Sequence, residues 1–74
     1  MSKYLFTEEW NDGGVNHVTA YGKCTESKID DITDQMERYS PYDYCCANVS
    51  DTEEEYKDYL QARIDNGDEV KYND

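Results

Sequence analysis

The segment "NDGG", residues 11–14, constrains the fold more than any other part of the sequence. Its Asp-Gly and Gly-Gly pairs accept the positive φ angles of a tight turn between antiparallel strands. The flanking segments, "KYLFTEEW" and "VNHVTAYG", are rich in the aromatic and β-branched residues that strands prefer. The sequence therefore predicts a β-hairpin over residues 3–22.

The register of this hairpin decides which side chains share a face. With the Asp-Gly pair at the centre of the turn, Glu8 faces His17, and Trp10 lies on the same face as Tyr21. Leu5 and other apolar side chains occupy the opposite face, so both faces carry apolar groups. A helix layer covers only one of them. The other face is expected to meet a partner, a second copy or a chain end, and exposed Tyr and Trp side chains are typical of binding hot spots.

Two helices are predicted after the hairpin. In residues 26–39 the apolar side chains recur at i, i+3, i+4 and i+7, and the Ser-Pro pair that follows ends the helix. The second helix covers residues 51–66. Ser50 is its predicted N-cap, with a Glu three residues later as in a capping box, and Gly67 is its stop.

The remaining segments complete a single domain over residues 1–74. Residues 42–49 are predicted to form a third strand, and residues 69–72 form either a short edge strand or a frayed end. Aromatic residues make up 14% of the chain, which favours a folded core despite a hydrophobic content of only 36%. We predict an α+β fold of order ββαβα, in which both helices lie on one face of a small antiparallel sheet.

The net charge of the chain is −11, from 18 acidic and seven basic residues. Nucleic acids and anionic membranes carry the same sign, so no direct binding to nucleic acid or membrane is expected. A basic protein or nucleoprotein complex is the natural partner. The first residues lack the apolar core of a signal peptide, and an odd number of cysteines fits reduced thiols. These features predict a cytoplasmic protein.

The sequence contains residue types that bind metals or catalyse reactions elsewhere, but their spacing does not match a known metal or catalytic motif. His17, Cys24, Cys45 and Cys46 are zinc-ligand types, yet no C-x-x-C pair occurs and adjacent strand residues point to opposite faces. The acidic C-terminal segment lacks the ligand order of an EF-hand loop. Cross-strand charge pairing explains the predicted contact of the single His with Glu8. We therefore predict no enzyme, no metal and no cofactor.

Acidic side chains recur along one face of each predicted helix, at spacings of i, i+4 and i+7 in the first. The rise of 1.5 Å per residue makes these steps roughly 6 and 4.5 Å, which is comparable to the spacing of phosphates in DNA. Like charges at i, i+4 destabilise a helix, so helix stability does not explain the pattern. The pattern instead indicates that the negative charge of the helices has a function. Two helices side by side then present two negative rows. The predicted partner-binding residues are Asp30, Asp31, Asp34, Glu37, Glu54, Glu55, Asp58, Asp65, Trp10 and Tyr21.

In its size, negative charge and aromatic content, the whole chain resembles the small acidic proteins that bacteriophages use against host defences. These are anti-CRISPR proteins and DNA-mimic anti-restriction proteins. The resemblance rests on no shared motif and assigns no residue roles. It implies an inhibitor that acts in the host cytoplasm as a nucleic-acid mimic, blocking a CRISPR effector, a restriction enzyme or another complex that handles DNA or RNA.

A second hypothesis belongs to a different functional class. The chain is then a non-enzymatic interaction protein or a homodimer that binds through the Tyr/Trp face of the hairpin, and its charge serves only solubility. Replacing Trp10 and Tyr21 separates this alternative from the mimic, because a mimic depends on the acidic side chains of the helices instead.

Overall fold

The computed structural model describes residues 2–73 and contains six elements in the order ββαβαβ. They are β1 (Ser2–Trp10), β2 (His17–Thr25), α1 (Glu26–Tyr39), β3 (Tyr44–Ser50), α2 (Glu53–Asp65) and β4 (Glu69–Tyr72). The predicted α+β class is confirmed, and the final segment forms a strand. The sheet order is β3-β1-β2-β4. Because β4 runs parallel to β2, the sheet is mixed rather than purely antiparallel.

The two helices lie on opposite faces of this sheet. On one face, the ring of Tyr56 in α2 lies 5.6 Å from the Tyr4 ring and 6.3 Å from the Phe6 ring of β1. On the other face, α1 encloses a groove with Thr7 and Glu9 of the same strand. Successive strand residues point to opposite faces, so the prediction of both helices on one face is wrong. Each helix covers one of the two apolar faces of the hairpin, and the result is a three-layer slab.

The hairpin is confirmed, but its loop is longer than a two-residue turn. The Gly14 N–H donates to the Asn11 carbonyl at 2.8 Å, and Gly13 has the positive φ of 76° that a type II turn requires at its third position. The strands pair again only at Glu9 and His17. Glu8 therefore lies opposite Val18 and not opposite His17, as the sequence predicted.

This register changes which side chains share a face. Val18 and Ala20 join Phe6 on the α2 face, where all three are 1% exposed. The burial of these apolar residues fixes the register, because a slip by one position would move them to the other face. Trp10 points to the α2 face and Tyr21 to the α1 face. The predicted single Tyr/Trp face is therefore not formed by these two residues.

A β-bulge adjusts the second strand beyond this core. Leu5 pairs with Gly22 whereas Phe6 pairs with Ala20, so Tyr21 is the extra residue. Gly22 has a φ of 76°, which a residue with a Cβ rarely adopts and which a bulge of this kind uses. The bulge leaves Tyr21 beside α1, where it lines the groove.

The helix ends follow local side-chain chemistry. α1 has the predicted bounds. In α2, the Thr52 side chain caps the helix by accepting from the Glu55 N–H at 3.2 Å. Ser50 is therefore not the N-cap, because it is buried as the last residue of β3. Gly67, with φ of 90°, ends α2 as predicted, and its N–H donates to the Ile64 carbonyl as in a Schellman motif.

Candidate partner-binding surfaces

Exposed carboxylates lie along the length of each helix. We call Asp30, Asp31, Asp34 and Glu37 the α1 acidic surface, and Glu54, Glu55, Asp58 and Asp65 the α2 acidic surface; every one of these residues is exposed. Because the helices lie on opposite faces of the sheet, the two surfaces do not form adjacent rows. The predicted double row is therefore wrong, and the molecule carries one negative surface on each broad face.

Few cations balance these surfaces. Within residues 2–73, Asp34 alone among these carboxylates forms an ion pair, with Arg38 at 3.1 Å. Lys57 of α2 pairs with Glu53 at 3.0 Å, outside the α2 acidic surface. Arg63 turns inward to the sheet. Repulsion between carboxylates one helical turn apart, such as Asp30 and Asp34, costs a few tenths of a kcal/mol per pair. In α2, Glu54 and Glu55 lie in the first turn, where the helix dipole favours negative charge.

A groove runs between α1 and the sheet, with a volume of about 360 Å³. It brings together two of the predicted binding residues, Tyr21 and Asp31, with the apolar side chains of Ile32 and Met36 between them. The mixture of carboxylate, aromatic and aliphatic groups suits a long cationic side chain, whose stem is apolar and whose end is charged. The helical periodicity of Ile32 and Met36 predicted core positions, and nothing in the sequence indicated that they line an open groove.

An aromatic pair lies on the other face of the sheet. The rings of Trp10 and Tyr44 stack with centroids 5.6 Å apart and planes 23° apart. Tyr44 is 49% exposed and Tyr59 of α2 is 53% exposed. Trp10 therefore belongs to an aromatic surface on the α2 face, whereas Tyr21 belongs to the groove on the α1 face. The sequence prediction missed Tyr44 because its neighbour across the sheet depends on the order of the strands.

Glu8 is a buried carboxylate at the centre of a polar cluster. Arg63 Nε donates to it at 2.6 Å, and the Nδ2 groups of Asn16 and Asn48 donate at 2.8 Å each. Burial raises the pKa of Glu8, but the hydrogen bonds from Arg63 and the two amides outweigh it, so the pKa lies below its ordinary value of 4.5. This carboxylate links α2, the hairpin loop and β3. Its contacts therefore join three elements that are far apart in the sequence.

The residues considered for metal binding are dispersed. His17 Nδ1 lies 3.0 Å from a Glu69 carboxylate oxygen, and its ring lies against Tyr42. Cys24 is buried and Cys46 is exposed, and both are free thiols. Over residues 2–73 the structure contains no group of three or more His, Cys, Asp or Glu side chains that can hold a metal ion.

Comparisons with protein-family models, with curated proteins and with solved structures find no significant match. Neither of the helices within the described residues has the length and apolar character needed to cross a membrane. The two acidic surfaces, the groove and the aromatic pair are therefore the features from which a function has to be inferred.

Proposed function

We propose that the chain is a non-enzymatic acidic inhibitor that occupies the cationic cleft in which a host complex holds DNA or RNA. One observation supports this function above the others. The eight exposed carboxylates of the two acidic surfaces, of which Asp34 alone forms an ion pair among residues 2–73, lie on both faces of a chain with a net charge of −11. Charge of this density attracts a basic surface over a distance and speeds the encounter.

The shape of the molecule limits which kind of binding site on a partner it fits. Its Cα atoms extend 36 × 29 × 17 Å, and the two acidic surfaces face away from each other on opposite sides of the sheet. A slab with one negative surface on each broad face suits a cleft with Lys and Arg on both walls. A flat basic surface would leave one acidic surface unpaired. Channels that enclose nucleic acid have cationic walls on both sides. The protein would therefore take the place of the negatively charged nucleic acid within such a channel.

The alternative hypothesis of an interaction protein depends on a single Tyr/Trp face of the hairpin. It required Trp10 and Tyr21 on one face, and they lie on opposite faces of the sheet. The stacked Trp10–Tyr44 pair is a smaller contact surface, and it lies on the same face of the sheet as α2. This arrangement favours a role for the aromatic pair beside the charges over a role that replaces them.

A capture experiment tests the proposal. The tagged protein is incubated with bacterial lysate at low salt, and the bound proteins are eluted in parallel with high salt, duplex DNA and single-stranded RNA. We expect a nucleic-acid-handling complex that both high salt and one of the nucleic acids release. A matched variant with lysine at Asp30, Glu37, Glu54 and Asp58 should capture none of it. A partner that resists nucleic acid, or that binds this variant equally, would contradict the proposal.

A further inference from the structure

The outer edge of β3 is open and uncharged. β3 lies at the end of the sheet, and within residues 2–73 no strand pairs with its outer side. Its sequence, "YCCANVS", contains no proline, and all 18 acidic and seven basic residues of the chain lie outside it. Natural proteins protect such edges with charges, proline or bulges, because an unprotected edge pairs with another chain.

The opposite edge of the sheet is protected. β4 has only four residues, and two of them, Glu69 and Lys71, are charged. Glu69 also forms an ion pair with His17 of the neighbouring strand. The chain therefore uses the ordinary devices on one edge and omits them on the other. This contrast indicates that the β3 edge is kept available for pairing.

The surroundings of the β3 edge are negative although the strand is neutral. The groove residues Asp31 and Tyr39 lie on one flank of α1, over β1 and β2. Successive helical residues are about 100° apart around the axis, so Asp30 and Glu37 lie roughly half a turn away from Tyr39. They are therefore on the flank of α1 that faces away from the groove, toward β3. Asp43 lies immediately before the strand and is exposed. An occupant of the edge would thus meet carboxylates on the α1 side.

We propose that the outer edge of β3 binds an extended cationic segment of a partner protein, which joins the sheet as a fifth strand. Main-chain hydrogen bonds hold the segment, and its alternate Lys or Arg side chains point toward the carboxylates of α1. The side chains between them lie against the exposed Tyr44 and Cys46 on the α2 face. A second copy fits less well, because antiparallel pairing of two β3 strands places both α1 acidic surfaces on the same face of one sheet and joins two chains of charge −11.

A synthetic peptide that alternates arginine with valine tests the main-chain part of the proposal. One version carries N-methyl groups on alternate amides, which block one edge of the strand, and a second version carries them on all central amides, which block both. Both versions have the same charge. We expect the first to bind and the second to bind at least about tenfold more weakly. Equal affinities would show attraction between charges alone and overturn the proposal.

Amide hydrogen exchange locates the binding edge. With the unmethylated peptide, amides within Tyr44–Ser50 should exchange at least about tenfold more slowly, and those of Glu69–Tyr72 should not change. Cys46→Lys should abolish this protection, whereas Tyr72→Lys, which changes the charge equally on the other edge, should retain it. Protection at β4, or β3 protection that grows with protein concentration in the absence of peptide, would contradict the proposal. These measurements involve no host complex, so their outcome is separate from that of the capture experiment.

Discussion

The two faces of the sheet differ in how much of the fold they hold. On the α2 face, Tyr56 and Leu60 are 8% and 5% exposed and pack on the buried side chains of Phe6, Val18 and Ala20. On the α1 face, the helix contains no buried residue, and a groove separates part of it from the strands. The strand residues Leu5, Thr7 and Cys24 are buried on the α1 face, but α1 itself contributes only half-buried and exposed side chains, whereas α2 contributes two buried ones.

The polar contacts between each helix and the sheet differ in the same way. The hydrogen-bonded cluster of Glu8 joins α2 to the sheet, and Glu8 is only 7% exposed. The contact from the end of α1 to the sheet is a hydrogen bond that the Ser40 hydroxyl donates to the half-buried Glu9 carboxylate. The two helices therefore differ in how tightly they are fixed to the sheet: α2 is held by buried side chains and a buried polar cluster, and α1 by half-buried side chains beside a groove.

The largest expected effect comes from the core of the α2 face. Leu60→Ala should lower the free energy of unfolding by about 2–5 kcal/mol, because it removes a buried side chain and leaves a cavity. Ile32→Ala, the matched change on α1, should cost only about 1 kcal/mol, since a half-buried side chain removes less apolar area from water. Urea unfolding of the two variants measures the difference. Equal losses would abolish the distinction between the faces.

The Glu8 cluster gives the second effect, which depends on pH. Glu8→Gln should cost about 2–3 kcal/mol at pH 7, since it replaces charge-assisted hydrogen bonds from Arg63 and the two amides. The folded pKa of Glu8 is lowered, so its contribution is present above 4.5 and disappears as the pH falls through the lowered value. The difference between wild type and variant should therefore shrink on acidification. Asp58→Asn, on an exposed residue in the middle of α2, is the control and should change the stability much less.

Charge reversal on each acidic surface tests whether both surfaces contact the partner. If the protein sits in a cleft with two cationic walls, lysine at Asp30 and Glu37 should weaken binding about tenfold, and lysine at Glu54 and Asp58 should do the same. Both pairs should also make binding less sensitive to salt. Titration of the captured complex with each variant measures this. Loss of affinity from one surface alone would indicate a flat basic site instead of a cleft.

The smallest expected effect is that of salt on the stability of the fold. Sodium chloride screens the repulsion among exposed carboxylates, so the unfolding midpoint of the wild type should rise slightly with salt concentration. The rise should be smaller in a variant with both charge-reversed pairs. Thermal unfolding at several salt concentrations tests this. A midpoint that falls with salt would mean that the few ion pairs stabilise the fold more than the repulsion destabilises it.

Local patterns in the sequence predicted most of the elements but not their arrangement. The hairpin, the bounds of α1 and the stop of α2 at Gly67 follow from turn residues, periodicity and helix-ending residues that act over a few positions. The register does not, because the loop of residues 11–16 accommodates more than one pairing. Both faces of the hairpin are apolar, so the pattern alone did not indicate that each helix takes a separate face.

The candidate surfaces show the same limit. Exposure of the acidic residues was predictable, since unpaired charges remain in water. The groove beside Tyr21 depends on a bulge and on where α1 crosses the sheet, and the open edge of β3 depends on the strand order. The sequence prediction pairs Glu8 with His17 because it places a two-residue turn at the Asp-Gly pair, whereas the loop extends over residues 11–16 and pairs Glu8 with Val18. Its partner Arg63 is far away in the sequence, and no local pattern indicates such a contact.

The most direct test of the central claim is displacement of nucleic acid from the captured complex. A fluorescent DNA or RNA is bound to that complex, and its anisotropy is followed as the protein is added. We expect the wild type to release the nucleic acid at low salt, each charge-reversed pair to need about tenfold more protein, and the combined variant to release none. A complex that holds the protein and the nucleic acid at the same time would contradict it.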